Sequence, residues 1–265
     1  MSFLLFFYSA SLGSFYKTLA LRILRFFYQK ERKNFNFFEK FRIIFTKPSS
    51  CESCDVRINS LYLIPIFGYF FTKGKCSHCE ASIGVQNPAF ELAFGGISVF
   101  LFWMTGSLPL SLLFPFFLGH LWISLETDAN YFSLDFENIP FLLLFGLSCN
   151  YFIIDDYPKV EDGLVFIGFA LFYGLVHLIY PRGMGLGDVL FAPVFALIAG
   201  HPFWLFFLNS SYGLALFLTI ALRKKGESLK KKPIPMGVYF ALGSFFTMIV
   251  KIIFYQTVGE GHYGE

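Results

Sequence analysis

The stretch GLVFIGFALFYGLVHLIY, Gly163–Tyr180, runs eighteen residues without an Asp, Glu, Lys or Arg. A helix that crosses a bilayer needs about 20 mostly apolar residues. The segment therefore reads as a membrane span. The same test applied outward finds candidate spans near 3–20, 88–105, 109–126, 139–154, 188–200, 202–222 and 236–255. Composition agrees. Of 265 residues, 55% are hydrophobic and 15% are charged, and Phe alone occurs 39 times. Soluble domains carry about 25% charged residues. The fold class is an all-α polytopic membrane protein with about eight transmembrane helices. The N-terminus is apolar from Phe3, without a clear basic region or small-residue cleavage site. It reads as a permanent first helix rather than a signal peptide.

One long polar segment, 21–87, separates the first two spans. It carries Arg22, Arg25, Lys30, Arg32, Lys33, Lys40, Arg42 and Lys47. The other basic cluster is RKKGESLKKK, Arg223–Lys232. If 21–87 is cytoplasmic and eight helices alternate, Arg223–Lys232 and Arg182 fall on the cytoplasmic side too. The opposite side then receives Lys159 with Asp155, Asp156, Glu161 and Asp162. That asymmetry satisfies the positive-inside rule with both termini outside. The expected division is a first helix at 1–20, a cytoplasmic metal-binding insertion at 21–87 and a membrane helix bundle at 88–265. The lipid bilayer is the implied surroundings, and nothing in the chain points to nucleic acid.

Four of the five cysteines form two pairs, CESC (Cys51, Cys54) and CSHC (Cys76, Cys79), with 21 residues between them. A two-residue spacer lets both sulfurs of a pair reach one ion, and two such pairs complete a tetrahedral zinc shell. His78 is a competing ligand, but Cys79 completes the repeat. A redox dithiol would need one pair only. A closed four-thiolate site points to structural Zn2+. Cys149 lies in an apolar helix and reads as a small buried residue.

The stretch GMGLGDVLF, Gly183–Phe191, places a lone carboxylate, Asp188, at the start of a short apolar helix. Acids in or near a bilayer are costly and usually functional. Gly183, Gly185 and Gly187 permit close packing around it. The bland alternative is a helix N-cap. Asp128, in ETDANYFSLDFENIP, falls at the cytoplasmic end of the third span, and its bland alternative is a solvated loop acid. Two acids at one membrane depth can form a dyad that shares a proton, one activating water and the other acting as acid.

These residues, taken in order, resemble the bacterial type IV prepilin peptidases almost from end to end. LGSF (Leu12–Phe15) is similar to the family's GSFLN segment, and the two cysteine pairs match its cysteine module. IPIFGYFFTKGKC and NPAFELAFGG resemble the family's IP…SY…L.GRC and YP.VEL.TG stretches. GMGLGD matches its second aspartate motif, and IPMGVYFALG (Ile234–Gly243) resembles IPFGPFLALG. The resemblance implies an inner-membrane aspartyl protease with its active site facing the cytoplasm. It would remove the short basic leader of type IV prepilins or pseudopilins after a glycine. It further implies N-methylation of the new terminus by S-adenosyl-L-methionine. The family's catalytic aspartates map onto Asp128 and Asp188, and Glu91 and Gly95 become methyltransferase candidates. Two departures stand out. Asp135 falls where the family has proline, and Leu190 replaces the lysine that usually follows the second motif. The spacing from Asp128 to Gly146 favours Asp128 over Glu126 or Asp135 as the first acid. Two rival readings are a transporter or channel with acids and His120 or His177 lining a polar path, and an inactive scaffold of a pilus or secretion system.

Overall fold

A computed structural model describes residues 1–28, 36–51, 53–181, 183–222 and 233–261. Lys30, Arg32, Lys33, Arg182 and the cluster Arg223–Lys232, which set the expected sidedness, lie outside the described residues. The chain divides into two compact units, Met1–Gly119 and His120–Glu265. Among the described residues both are helical, and extended pairing is limited to two isolated bridges.

The first unit contains α1 (Ser2–Ile23), α2 (Phe37–Thr46), α3 (Phe67–Phe71), α4 (Gln86–Thr105) and the first half of α5 (Leu108–Tyr131). Glycine lets α1 lie close on α4. A Cβ at Gly95 would sit 2.7 Å from the Phe6 ring, and one at Gly13 would sit 2.9 Å from the Phe94 ring. The N-terminus of α2 is fixed by a capping box. The Glu39 N–H donates to Asn36 Oδ1, and the Asn36 N–H donates to Glu39 Oε2, both at 3.0 Å. This satisfies two donors that a helix start leaves open. α2 buries Ile44 and exposes Phe38, Phe41 and Phe45.

The second unit contains the rest of α5, then α6 (Ile139–Ile154), α7 (Val160–Ile179), α8 (Leu186–Ala199), α9 (Trp204–Ala221) and α10 (Met236–Gly261). Its centre is α8. Phe191, Ala192, Val194, Phe195, Ala196, Ile198 and Ala199 are all buried. A helix that is apolar all round belongs in a core, and α6, α7, α9 and α10 enclose it. Phe195 meets Phe207 at 6.1 Å and Phe240 at 6.4 Å between ring centroids. The C-terminal carbonyls of α8 find partners. Lys251 Nζ donates to Ala199 O at 2.6 Å and to Asn150 Oδ1 at 3.0 Å, and Asn150 Nδ2 donates to Ile198 O. A cation at the C-terminal end and Asp188 in the first turn both suit the helix dipole.

Six helices among the described residues are long and apolar enough to cross a membrane: Gln86–Thr105, Leu108–Tyr131, Phe136–Ile154, Val160–Ile179, Trp204–Ala221 and Met236–Thr257. α8 is apolar but has only 14 residues, and α1 is not among the six. The helices follow the order read from the sequence. One boundary differs where it matters. α5 runs on to Tyr131 and stops where Phe132 turns left-handed at φ 51°. Asp128 is therefore not in a loop; it lies in the last turns of a helix.

Candidate active site and metal centre

Asp128 is 5% exposed, so it is not a solvated loop acid. Its Oδ2 accepts the Val238 N–H at 3.1 Å. Val238 is the third residue of α10, where backbone N–H groups have no partner inside the helix. A helix N-terminus with free donors is a natural seat for a carboxylate. The approach depends on Gly237. A Cβ there would sit 2.9 Å from Asp128 Oδ2 and 2.6 Å from Leu134 Cδ2. Leu134 is buried and also meets α8, where a Cβ on Gly187 would lie 3.4 Å from Leu134 Cβ. The ends of α5, α8 and α10 thus converge on Leu134.

Asp188 is the third residue of α8. Its N–H donates to Gly185 O at 3.1 Å, so Gly185, and not Asp188, occupies the cap position. The Asp188 carboxylate lies within electrostatic range of the Asp128 charge. The hydroxyls of Tyr173 and Tyr212, 2.7 Å apart, both lie within range of Asp188. The three glycines differ in what they do. A Cβ on Gly183 would sit 1.9 Å from the Tyr180 ring, whereas one on Gly185 would meet nothing closer than Asp188 Oδ2 at 3.8 Å. Leu190, at the position of the family's lysine, is exposed.

The segment that carries Leu134 is tied to α5 by a buried network. His120 Nδ1 and Asn138 Oδ1 are 2.6 Å apart, and Asn138 Nδ2 donates to His120 O and Ser124 Oγ. His120 also stacks on Phe141 and Phe145. His177 Nδ1 lies 2.9 Å from Met184 O and braces the glycine loop. Both histidines are engaged in hydrogen bonding, and His120 in ring stacking as well. Asp135 starts the short turn Phe136–Asn138, and burial and the Glu137 charge raise its carboxyl to about 6.

Sequence reasoning misses Gly237 as a determinant. IPMGVYFALG carries it only as part of a motif; the physical content is that residue 237 must lack a side chain for α10 to reach Asp128. Gly237→Val should lower stability by about 1–3 kcal/mol through overpacking. Thermal unfolding in detergent measures this. In a Leu134→Ala background the loss should shrink, because the tightest clash is with Leu134.

In the first unit the four cysteine sulfurs all lie within 4.8 Å of one another. Cys51 Sγ to Cys79 Sγ is 3.8 Å and Cys54 Sγ to Cys76 Sγ is 4.0 Å. A tetrahedral ion with ~2.3 Å bonds to sulfur requires sulfur–sulfur edges of ~3.8 Å. The cysteines therefore fit a metal ion. The two halves repeat one local fold. Cys51 O accepts from Asp55 N at 2.9 Å, and Cys51 N donates to Val56 O at 3.0 Å. Cys76 O accepts from Glu80 N at 3.0 Å, and Cys76 N donates to Ala81 O at 2.9 Å. Asp55 and Glu80 both take left-handed conformations, at φ 55° and φ 56°. The repeated Cys-x-x-Cys-acid pattern is the only trace in the sequence of these two copies of one turn. Backbone N–H groups of Cys79 and His78 pull the Cys76 thiol down to about 6. At Cys54 the Val56 N–H pulls down, but burial and the neighbouring thiols push it up to about 12. Four crowded sulfurs cannot all become thiolates unless a cation compensates them.

Glu91 and Gly95 lie on α4. Glu91 Oε2 accepts the Ile66 N–H at 2.6 Å, and Gly95 faces Phe6 of α1.

Buried carboxylates at the ends of apolar helices, and a four-cysteine cluster that could hold a metal ion, are the features of this polytopic helical chain to be compared with known proteins. Comparison with known proteins gives the family. The bacterial peptidase A24 N-terminal domain matches residues 7–105, and the type IV leader peptidase family matches residues 115–220. A prepilin leader peptidase/N-methyltransferase of Stutzerimonas stutzeri is 32% identical over 78% of this chain and 73% of its own length. One from Bacillus subtilis is 29% identical over 93% of both chains. One from Pseudomonas aeruginosa is 30% identical over 76% of this chain and 71% of its own. No solved structure matches the chain. The chain belongs to the type IV leader peptidase family of membrane aspartic proteases.

Proposed function

We propose that the protein removes the basic leader of type IV prepilins or pseudopilins, cutting after glycine on the cytoplasmic side of the inner membrane. Asp128 and Asp188 are the catalytic pair. The observation that carries this reading is the seat of Asp128 on the N-terminus of α10, within electrostatic range of Asp188 on α8. Two carboxylates at close range share a proton over part of the pH range. The ionised member takes a proton from water as the water attacks the scissile carbonyl. The protonated member donates to the carbonyl oxygen, and the proton taken from water then passes from the first member to the leaving amine as the C–N bond breaks. Gly183, Gly185 and Gly187 shape the loop that presents Asp188, and His177 and Asn138 brace its surroundings. Incubation of purified protein with prepilin-like proteins tests the reading. Loss of the leader supports it; a transporter or an inactive scaffold would leave every substrate intact.

The second activity is N-methylation of the new terminus. S-adenosylmethionine, when bound, would supply an electrophilic methyl group to the terminal amine. Cys51, Cys54, Cys76 and Cys79 would hold a structural zinc ion that orders the 21–87 segment, since a closed four-thiolate shell leaves no open position for chemistry. A division of labour between the two activities is supported by the division of the chain between Gly119 and His120, which differs from the expected boundaries at 20 and 87. The proposed protease acids belong to the second unit, and the cysteines, Glu91 and Gly95 to the first.

A further inference from the structure

Between the two cysteine pairs runs LYLIPIFGYFF, Leu61–Phe71, eleven residues without a charge. The stretch is too short to span a bilayer. Apolar runs of about 10–14 residues are buried core elements, or re-entrant or interfacial segments. This one is not buried. Leu61 is 62% exposed, Phe70 66% and Phe71 60%, and Leu63 and Phe67 are exposed too. Its two ends return to one place, because the sulfurs of Cys54 and Cys76 lie in the same four-cysteine cluster. The stretch is therefore a limb that leaves the cluster and comes back to it. The limb folds on itself at Gly68. The Gly68 N–H donates to Ile64 O at 2.8 Å, and a Cβ there would collide with Tyr62 O.

The limb lies alongside α4, one of the helices long and apolar enough to cross a membrane. Within the first unit α1 runs antiparallel to α4. Trp103 Nε1, near the end of α4, donates to Ser2 Oγ at 3.0 Å. The Phe6 ring faces Gly95, and Lys17 Nζ lies 5.8 Å from the centre of the Phe90 ring. Phe67 of the limb stacks on Phe7 of α1, with ring centroids 5.9 Å apart. The Ile66 N–H donates to Glu91 Oε2 at 2.6 Å. Glu91 and Gly95 follow Gln86, the first residue of α4, by five and nine residues. At about 1.5 Å per residue these are rises of about 8 and about 13 Å along the axis. The tip of the limb is thus level with the second and third turns of α4, not beyond its end.

We propose that the limb Leu61–Phe71 is inserted in the membrane, with Leu61, Leu63, Phe67, Phe70 and Phe71 against lipid acyl chains. Continuity with the apolar helix α4 selects lipid as the partner. Charge agrees. Arg57 precedes the stretch and Lys73 and Lys75 follow it, all exposed, as suits the phosphate headgroups at a membrane edge. Non-helical backbone at membrane depth must find its hydrogen bonds within the protein, and the tip does so. Pro65 has no N–H to satisfy. Ile66 sits at φ 65°, ψ −53°, and the Phe67 N–H donates to Pro65 O at 2.7 Å. This is a γ-turn with a positive-φ centre, a rare conformation and a costly one for a β-branched residue. The Glu91 carboxylate takes the Ile66 N–H and fixes the turn. Strain of this kind persists only where surrounding contacts hold it. Glu91 is on this account a positioning residue for the limb, and the limb moors the four-cysteine cluster to the bilayer.

Tryptophan fluorescence of the full-length, zinc-loaded protein in lipid nanodiscs tests the proposal. Phe70→Trp places a reporter on the limb and Val56→Trp one at its base. Each is read as emission above that of Trp103, Trp122 and Trp204, which the chain already holds. Zinc content and thermal unfolding report that the variants are folded. In phosphatidylcholine with brominated acyl chains, Phe70→Trp should lose more than half of its added emission, and Val56→Trp should keep most of its own. Aqueous iodide should give the reverse order. Glu91→Leu, added to Phe70→Trp, should cut the bromine quenching at least by half. Glu91→Gln should preserve it, because an amide oxygen still accepts the Ile66 N–H. Added emission at Phe70→Trp that iodide quenches and bromine does not would place the limb in water and overturn its insertion. Emission that neither quencher reaches would also overturn it, and would assign the surface to a second copy of the chain or a bound protein. Equal bromine quenching of both reporters would overturn the limb as the inserted part. Quenching unchanged by Glu91→Leu would overturn the positioning role.

Discussion

Asp128→Asn and Asp188→Asn should each slow leader removal by about 10³-fold or more while leaving the protein folded in the membrane. General acid and base catalysis contribute on the order of 10²–10⁴-fold each, and an amide can do neither task. The substitutions keep shape. In Asp128→Asn the new amide oxygen can still accept the Val238 N–H, so the end of α10 should stay in place. Asp135→Asn is the control. Burial and Glu137 raise the Asp135 carboxyl to about 6, a value that suits a catalytic acid at neutral pH. Asp128, however, is the acid that sits within range of Asp188. Rates measured by intact mass of the product should show Asp135→Asn close to wild type. The reverse order, with Asp128→Asn active and Asp135→Asn dead, would reassign the first acid.

Cys76→Ser should have the second-largest effect, and a different one. It leaves three thiolates where a tetrahedral ion needs four, and metal binding energy of about 10–16 kcal/mol in such modules is local folding energy. The two cysteine turns should loosen, and the γ-turn at Ile66 should loosen with them. N-methylation should then fall much further than leader removal, because the carboxylate pair draws its support from α5, α8 and α10. Purified wild-type protein should carry about one zinc per chain. Folded protein without zinc would contradict this, and equal loss of both activities in a stably expressed Cys76→Ser variant would show that the module also places the substrate.

Much of the fold was legible because hydropathy is additive along the chain. The long helices followed from apolar runs, and the cysteine cluster followed from two-residue spacers. What could not be read depended on tertiary contact. ETDANY looks like a loop because it is polar, yet Thr127 and Asp128 are buried and α5 continues through them. Gly237 looks like any helical glycine until Leu134 and the Asp128 carboxylate are placed beside it. Ile66 gives no local sign of a positive φ; the turn exists because Glu91, 25 residues away, accepts its N–H. Gly185 shows the opposite case, a motif glycine around which the structure leaves room for a side chain.

The central claim is that Asp128 and Asp188 act as one unit. The most direct test is the single-turnover rate of leader removal by the double variant Asp128→Asn/Asp188→Asn, followed by intact mass beside both single variants. Groups that act together are not additive. The double variant should therefore be about as slow as either single one. Losses that multiply, so that the double variant is slower by the product of the two, would show that the carboxylates work independently and would contradict a shared catalytic centre.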